Sequence, residues 1–158
     1  MRTFLDRMRD LKKEEILKRS AEDSLEELRE QAVNLDRPLN FREAVRRKEE
    51  GYPEIIAEVK ARAPGRVNTQ TLDPVQIVSD YASGGAAAVS VLTDQNWFGG
   101  SLETLSEVQK NLDLPLLHKE FIVSEYQLLE GRLRGASASL LLAYYFDQQE
   151  LTMMMEQL

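Results

Sequence analysis

Pro115-Leu116-Leu117-His118-Lys119-Glu120-Phe121 is a short apolar run that ends in two opposite charges and an aromatic ring. A buried strand normally closes on turn residues. Charges at such an end are hydrated, paired or used. Similar apolar runs recur on both sides: Ile55 to Lys60, Ala87 to Thr93 and, further on, Ala138 to Ala143, with Leu114 to Lys119 as the third of the four. Amphipathic segments alternate with them. Asp73-Pro74 opens one, with aspartate at the N-cap and proline at the first helical position, and Gly84-Gly85 ends it. Ser101 opens the next, which runs to about Asn111. Ser124, with Gln127 three residues on, opens a third that Gly135 closes, and Asp147 with Glu150 caps a last one. Apolar strands alternating with such helices predict a parallel sheet with right-handed crossovers.

Upstream, residues 3–50 read as helices only. Phe4, Leu5, Met8, Leu11, Ile16 and Leu17 form a ragged helical stripe. Ser24 with Glu27 reads as a capping box for a second helix, and Asn40 with Glu43 starts a third. The charges Lys12, Lys13, Glu14 and Glu15 are expected on a solvated face. The pattern changes at Gly51-Tyr52-Pro53, so the expected domains are a helical N-terminal extension over 1–50 and the strand–helix region over 51–158. Residues 63–73 and 94–100 are expected loops.

The bulk composition sets limits. The chain has 158 residues, 42% hydrophobic and 30% charged, with 27 acidic against 20 basic side chains and a net charge of −7. That balance speaks against a nucleic-acid partner or an anionic membrane surface, both of which call for a basic face. A small phosphate ligand needs only one local positive site. With no cysteine and one histidine, thiol chemistry and a histidine-based metal centre are not expected. The start lacks a secretory signal and no run reaches the roughly 18 apolar residues of a membrane helix, so a cytoplasmic protein is expected.

Polar groups cluster after the strands: Glu58 and Lys60, Thr93, then Lys119 and Glu120. In parallel α/β folds ligands bind at the carboxyl ends of the strands. Glu58 and Lys60, two apart, share a strand face, either as a structural ion pair or as a pair reaching one ligand. Lys119 by itself reads first as a snorkelling edge residue. His118 points to the opposite face, toward the helices, and reads as a structural histidine. Trp97 and Phe98, beside Gly99-Gly100, suit a binding wall or a lid packed on the core. Met153-Met154-Met155 reads as ordinary helix packing.

A set of motifs in order carries a family likeness. Ile56-Ala57-Glu58-Val59-Lys60, Ser90-Val91-Leu92-Thr93-Asp94, Phe98-Gly99-Gly100-Ser101, Leu117-His118-Lys119-Glu120-Phe121-Ile122-Val123, Gln127, Gly135-Ala136 and Leu140-Leu141-Leu142 together resemble indole-3-glycerol phosphate synthase. The family's usual versions read IAEVK, SVLTD, a phenylalanine followed by xGS, LxKDFI, and GAD with LLI. Each motif is weak alone; five in order are specific. The likeness, helical extension included, covers essentially the whole chain.

The resemblance implies a (β/α)₈ barrel that closes the indole ring in tryptophan biosynthesis. The implied substrate is a small phosphorylated one, 1-(2-carboxyphenylamino)-1-deoxyribulose 5-phosphate. It loses carbon dioxide and water without metal or organic cofactor. By motif, Lys119 matches the general acid. Lys60 matches the first-strand lysine that contacts the substrate and serves later proton transfer or phosphate binding. Glu58 matches the glutamate that orients it. Phe98, Phe121 and Leu140 match the apolar wall, with Leu92 beside them. A lysine in a partly apolar pocket gives up its proton more readily, which suits the acid role.

There are departures. The family's Ser-Pro-Ser turn after the first strand is Ala63-Pro64-Gly65 here, with Arg66 as a candidate substitute for the lost hydroxyls. The aspartate after the catalytic lysine is Glu120, and that after Gly135-Ala136 is Ser137. A (β/α)₈ barrel takes about 200 residues or more, so an incomplete barrel of four βα units is expected. The family's fifth-strand general base would lie outside it, and the isolated chain is expected to be inactive. Open sheet edges imply a complementing C-terminal half-barrel or self-association. The alternative is a non-catalytic half-barrel serving as a binding or assembly module.

Overall fold

Four strands pair in the order β1 (Ile56–Val59), β2 (Ala88–Leu92), β3 (Leu116–Lys119) and β4 (Ala138–Ser139), every neighbour parallel. The computed structural model describes residues 2–46, 51–63 and 73–157. Helices α1 (Phe4–Arg19), α2 (Leu25–Val33) and α3 (Phe41–Ala44) precede the sheet. Between and after the strands come α4 (Pro74–Ser83), the short α5 (Gln95–Phe98), α6 (Leu102–Lys110), α7 (Glu125–Leu133) and α8 (Gln148–Glu156). This is the β-α-β-α-β-α-β-α order that the sequence predicts.

The caps explain where most helices start. The Ser24 and Asp147 side chains accept from the backbone N–H of Glu27 and Glu150, and both capping boxes form. Asn40 accepts from Glu43 N, Asp73 from Val75 N and Ser101 from Thr104 N. Each satisfies a backbone N–H that has no partner inside its helix. Ser124 behaves otherwise: it makes no side-chain cap bond. Gln127 turns back instead, accepting from Val123 N at 2.8 Å and donating to Phe121 O at 3.1 Å. Its amide satisfies two backbone groups of the turn that carries Phe121, so the expected capping box gives way to a loop clasp.

The register separates two faces of the sheet. Glu58 pairs with Ser90, Ser90 with Leu117, and Leu117 with Ala138. The alternate residues Val59, Val89, Val91 and Leu116 point the other way, where they form one core with Val78 of α4, Leu105 and Val108 of α6, and Ala136. Leu105 is fully buried, so its truncation to alanine would cost about 2–5 kcal/mol. Ile122, Leu128 and Met154 make a second, smaller core. Met153 and Met155 are exposed, so only Met154 of that run packs as expected.

The N-terminal helices lie on this framework. Arg29 of α2 forks onto Glu125 of α7 at 2.8 and 2.7 Å, and Arg19 of α1 meets Glu130 at 2.9 Å. Met8 and Lys12 are the buried residues of α1. Leu11 and Leu17, expected in its apolar stripe, are exposed. Lys12, expected on a solvated face, is 3% exposed; the reason is a set of carboxylates from distant parts of the chain, described below.

β1 and β2 are one residue shorter at each end than expected, and β3 and β4 differ more. β3 begins at Leu116 rather than Leu114, and β4 keeps only Ala138 and Ser139 of the expected 138–143. Among the described residues β4 has β3 as its only strand neighbour. After one further bond, Leu140 N to His118 O at 3.0 Å, the chain turns into a single helical turn at Ala143–Tyr145. Residues 94–100, expected as a loop, contain α5. Asp94 caps it by accepting from Trp97 N and Phe98 N, and Gly99 ends it in the left-handed conformation. Gly100 then runs so close to β2 that a Cβ would sit 1.9 Å from Leu92 O, so no larger residue fits there.

Candidate active site

The inner face of the sheet presents its polar groups at the carboxyl ends of the strands. Glu58 of β1 bridges two ammonium groups. Its Oε1 accepts from Lys60 Nζ at 2.8 Å and its Oε2 from Lys119 Nζ of β3. The three side chains are 30%, 39% and 38% exposed. Burial pushes the Glu58 carboxyl up, but the hydrogen bonds and charges of Lys119 and Lys60 outweigh it and hold the group below the usual glutamate range. Two cations thus share one carboxylate, so this group of three carries one positive charge beyond its own pairing, while Asp94 and Glu120 of the same cleft are paired with Lys12.

These groups, with Asp94 and Glu120, line a cleft of about 180 Å³ whose walls are mainly apolar: Leu92, Phe98, Phe121, Leu140 and Leu142. The Phe98 and Phe121 rings lie 6.2 Å apart. Phe4 of α1 stands edge-on to Phe121 at 6.1 Å and to Trp97 at 5.1 Å. The structure therefore gathers Glu58, Lys60, Lys119, Leu92, Phe98, Phe121 and Leu140 around one cleft. Arg66 and the Pro64-Gly65 part of the turn lie outside the described residues. Trp97 packs on α1 as part of the cover, 37% exposed.

A second charged cluster, which the sequence reading missed, reaches the cleft through Asp94 and Glu120 and is centred on Lys12, which does not line it. Lys12 Nζ lies 2.8 Å from Asp94 Oδ2, 2.9 Å from Glu15 Oε2 and 3.3 Å from Glu120 Oε1. Burial opposes the ammonium, yet Glu120, Asp94 and Glu15 together push its pKa up. Burial likewise raises the Glu120 pKa, with Lys12 acting in the opposite sense. The available signal was spacing: Phe4, Met8 and Lys12 fall on one side of a helix, so a buried Met8 carries Lys12 with it. What Lys12 would meet there had no local signature.

His118 faces the helices, as its alternation with Lys119 predicts. It is 1% exposed, Nε2 lies 2.9 Å from Thr93 Oγ1, and the ring packs on Gly131 of α7, where a Cβ would fall 2.3 Å from Nδ1. Burial, with the Lys12 and Arg19 charges, lowers its pKa to about 4. Thr93 Oγ1 also donates to Glu120 Oε2 at 3.3 Å. Among the described residues no group of three or more His, Cys, Asp or Glu is arranged to hold a metal ion, and no helix is long and apolar enough to cross a membrane.

Four successive parallel βα units, with their charges and an apolar cleft at the strands' carboxyl ends, define the first half of a (β/α)₈ barrel of the enzyme type. A family model for indole-3-glycerol phosphate synthase matches residues 5–157. The chain belongs to the indole-3-glycerol phosphate synthase family, lyases of tryptophan biosynthesis.

Relatives bearing that name agree. The one from Burkholderia multivorans is 42% identical over 149 residues, covering 93% of this chain and 57% of its own length. That from Acaryochloris marina is 38% identical over 152 residues, covering 96% and 50%. That from a Nocardioides species is 40% identical over 138 residues, covering 87% and 52%. The chain spans about half the length of the curated relatives it matches.

Proposed function

We propose that this chain supplies the acid side of an indole-3-glycerol phosphate synthase site. It acts on 1-(2-carboxyphenylamino)-1-deoxyribulose 5-phosphate in the cytoplasm together with a complementing C-terminal half-barrel. The observation that supports this most is the Glu58 carboxylate shared by Lys60 and Lys119, at the mouth of an apolar cleft. In this reading Lys119 Nζ protonates the substrate carbonyl oxygen while the aromatic ring carbon attacks the carbonyl carbon. Loss of carbon dioxide and then of water completes the indole.

Glu58 holds the Lys119 ammonium at the strand end before substrate arrives, so part of the orientation is in place in advance. Lys60, the second cation on that carboxylate, meets the anionic substrate. Phe98, Phe121, Leu92 and Leu140 enclose the anthranilate ring and exclude water from the carbanion-like steps. Arg66 is proposed as a further contact to the substrate.

The test is rescue of a tryptophan auxotroph by this chain co-expressed with the C-terminal half of a family member. Growth that depends on both halves is expected, as is its loss with Lys119→Ala. Both halves soluble and associated, yet without growth or ring closure in vitro, would favour the non-catalytic module.

A further inference from the structure

Lys12 is a buried cation with no place in the chemistry above. Its neighbours Lys13 and Glu14 are exposed, whereas Lys12 is 3% exposed. It does not line the cleft. Each carboxylate it meets, however, also holds part of the cleft wall. Asp94 uses its other oxygen, Oδ1, to accept from Trp97 N at 2.6 Å and Phe98 N at 3.1 Å. Glu120 uses Oε1 to accept from Phe121 N at 2.7 Å. Glu15 uses Oε1 to accept from Asn96 Nδ2 at 2.8 Å, on the same short helix as Phe98. One ammonium therefore ties α1 to the segment after β2 and to the segment after β3. Two turns earlier on α1, Phe4 leans on Trp97 and Phe121.

We propose that Lys12 is a positioning residue for the cleft: its charge sets the spacing of the Phe98 and Phe121 walls, and so the affinity for the aromatic part of the ligand. The agent is charge rather than bulk. The Asp94 and Glu120 side chains are 2% and 10% exposed. Without Lys12 these two carboxylates face each other with no cation between them, and either the two segments move apart or one group takes a proton. In both cases the backbone bonds to Trp97, Phe98 and Phe121 are disturbed. Lys12 does not line the cleft that holds Lys119, so proton transfer itself is left unchanged. The inference rests on the cleft being the substrate site.

Trp97 is the protein's one tryptophan, so emission from the chain reports on this wall directly. The experiment compares wild type with Lys12→Met, Lys12→Arg and the double variant Lys12→Met/Glu120→Gln, which keeps the cluster's net charge and removes the facing carboxylate pair. Each is titrated with anthranilate and assayed for KM and kcat when joined by a C-terminal half-barrel. For Lys12→Met, anthranilate affinity is expected to fall about tenfold and KM to rise by a similar factor, with kcat within about threefold of wild type.

Lys12→Arg and the double variant should recover most of the affinity. Wild-type affinity in Lys12→Met, or a double variant as weak as the single one, would overturn the proposal, as would a loss confined to kcat. Should Lys12→Met fail to fold, the double variant decides alone: near-wild-type affinity supports the charge role and a tenfold loss removes it. A wild-type barrel that binds anthranilate without turnover would sink the enzymatic reading and leave the Lys12 comparison standing.

Discussion

Two lysine–carboxylate clusters border the cleft, meeting it through Glu58, Lys60 and Lys119 in one case and through Asp94 and Glu120 in the other, and they are built in opposite senses. At the strand ends two ammonium groups share one carboxylate, each side chain about one-third exposed. Around Lys12 one ammonium serves three carboxylates, with Lys12 and Asp94 almost fully enclosed. The first cluster has a cation to spare and water at hand, so it can release a partner and accept an anionic ligand. The second has none to spare, and rearranging it exposes uncompensated charge in a poorly hydrated place. The same residue types make a reactive centre in one place and a fixed joint in the other. Stoichiometry and burial make the difference.

The largest expected effect lies in the exposed cluster. In the complemented barrel, Lys119→Ala should lower kcat about a thousandfold, within the range of a lost general acid. A near-wild-type steady-state rate would place the proton donor elsewhere. Next is the buried joint. Lys12→Met should cost about 4 kcal/mol in urea unfolding, the scale for stranding one side of a buried ion pair. A loss below about 1 kcal/mol would mean that the pair behaves as a surface pair and that the contrast between the clusters fails.

The third effect belongs to His118, which the buried joint helps to keep neutral. Its pKa is about 4 when folded, against 6.5 for a free imidazole side chain. The folded state therefore disfavours its protonation. That stability is fully present above pH 6.5, declines as pH falls from 6.5 to about 4, and is flat below, with a total of about 3 kcal/mol. Unfolding midpoints measured across that window should flatten in His118→Gln. An unchanged slope would assign the acid sensitivity to other groups. The smallest effect should come from Lys60→Met. This half-exposed partner of Glu58 should change stability by less than about 1 kcal/mol while weakening substrate binding in the complemented barrel. Unfolding and binding measured on the same variant test that separation.

The legible part of the molecule was the part with local causes. Ser24 with Glu27, Asp147 with Glu150 and Asp73-Pro74 start helices through contacts within one turn. The alternation of His118 with Lys119 already assigns one to the helix side and one to the cleft. Glu58, Lys60, Lys119 and Glu120, named at the strand ends, are brought around one cleft by the parallel register, whereas Thr93 turns to His118 and Arg66 lies outside the described residues. Ser124 and Gln127 show where local reasoning stops. Their spacing suits a capping box, but Gln127 is drawn to the backbone of the Phe121 turn, which offers it two partners at once.

By itself, then, the sequence determined the strand–helix alternation, the side of each strand that carries charge, and the motif set that points to a barrel enzyme. All of these depend on periodicity or on neighbours a few residues away. The tertiary structure alone decided that Lys12 is enclosed and that Phe4 closes over Phe121. The partners of Lys12 at Asp94 and Glu120 come from the ends of two different strands, far along the chain. No spacing rule on α1 announces such partners, because a lysine's environment is set by whatever the fold lays against it.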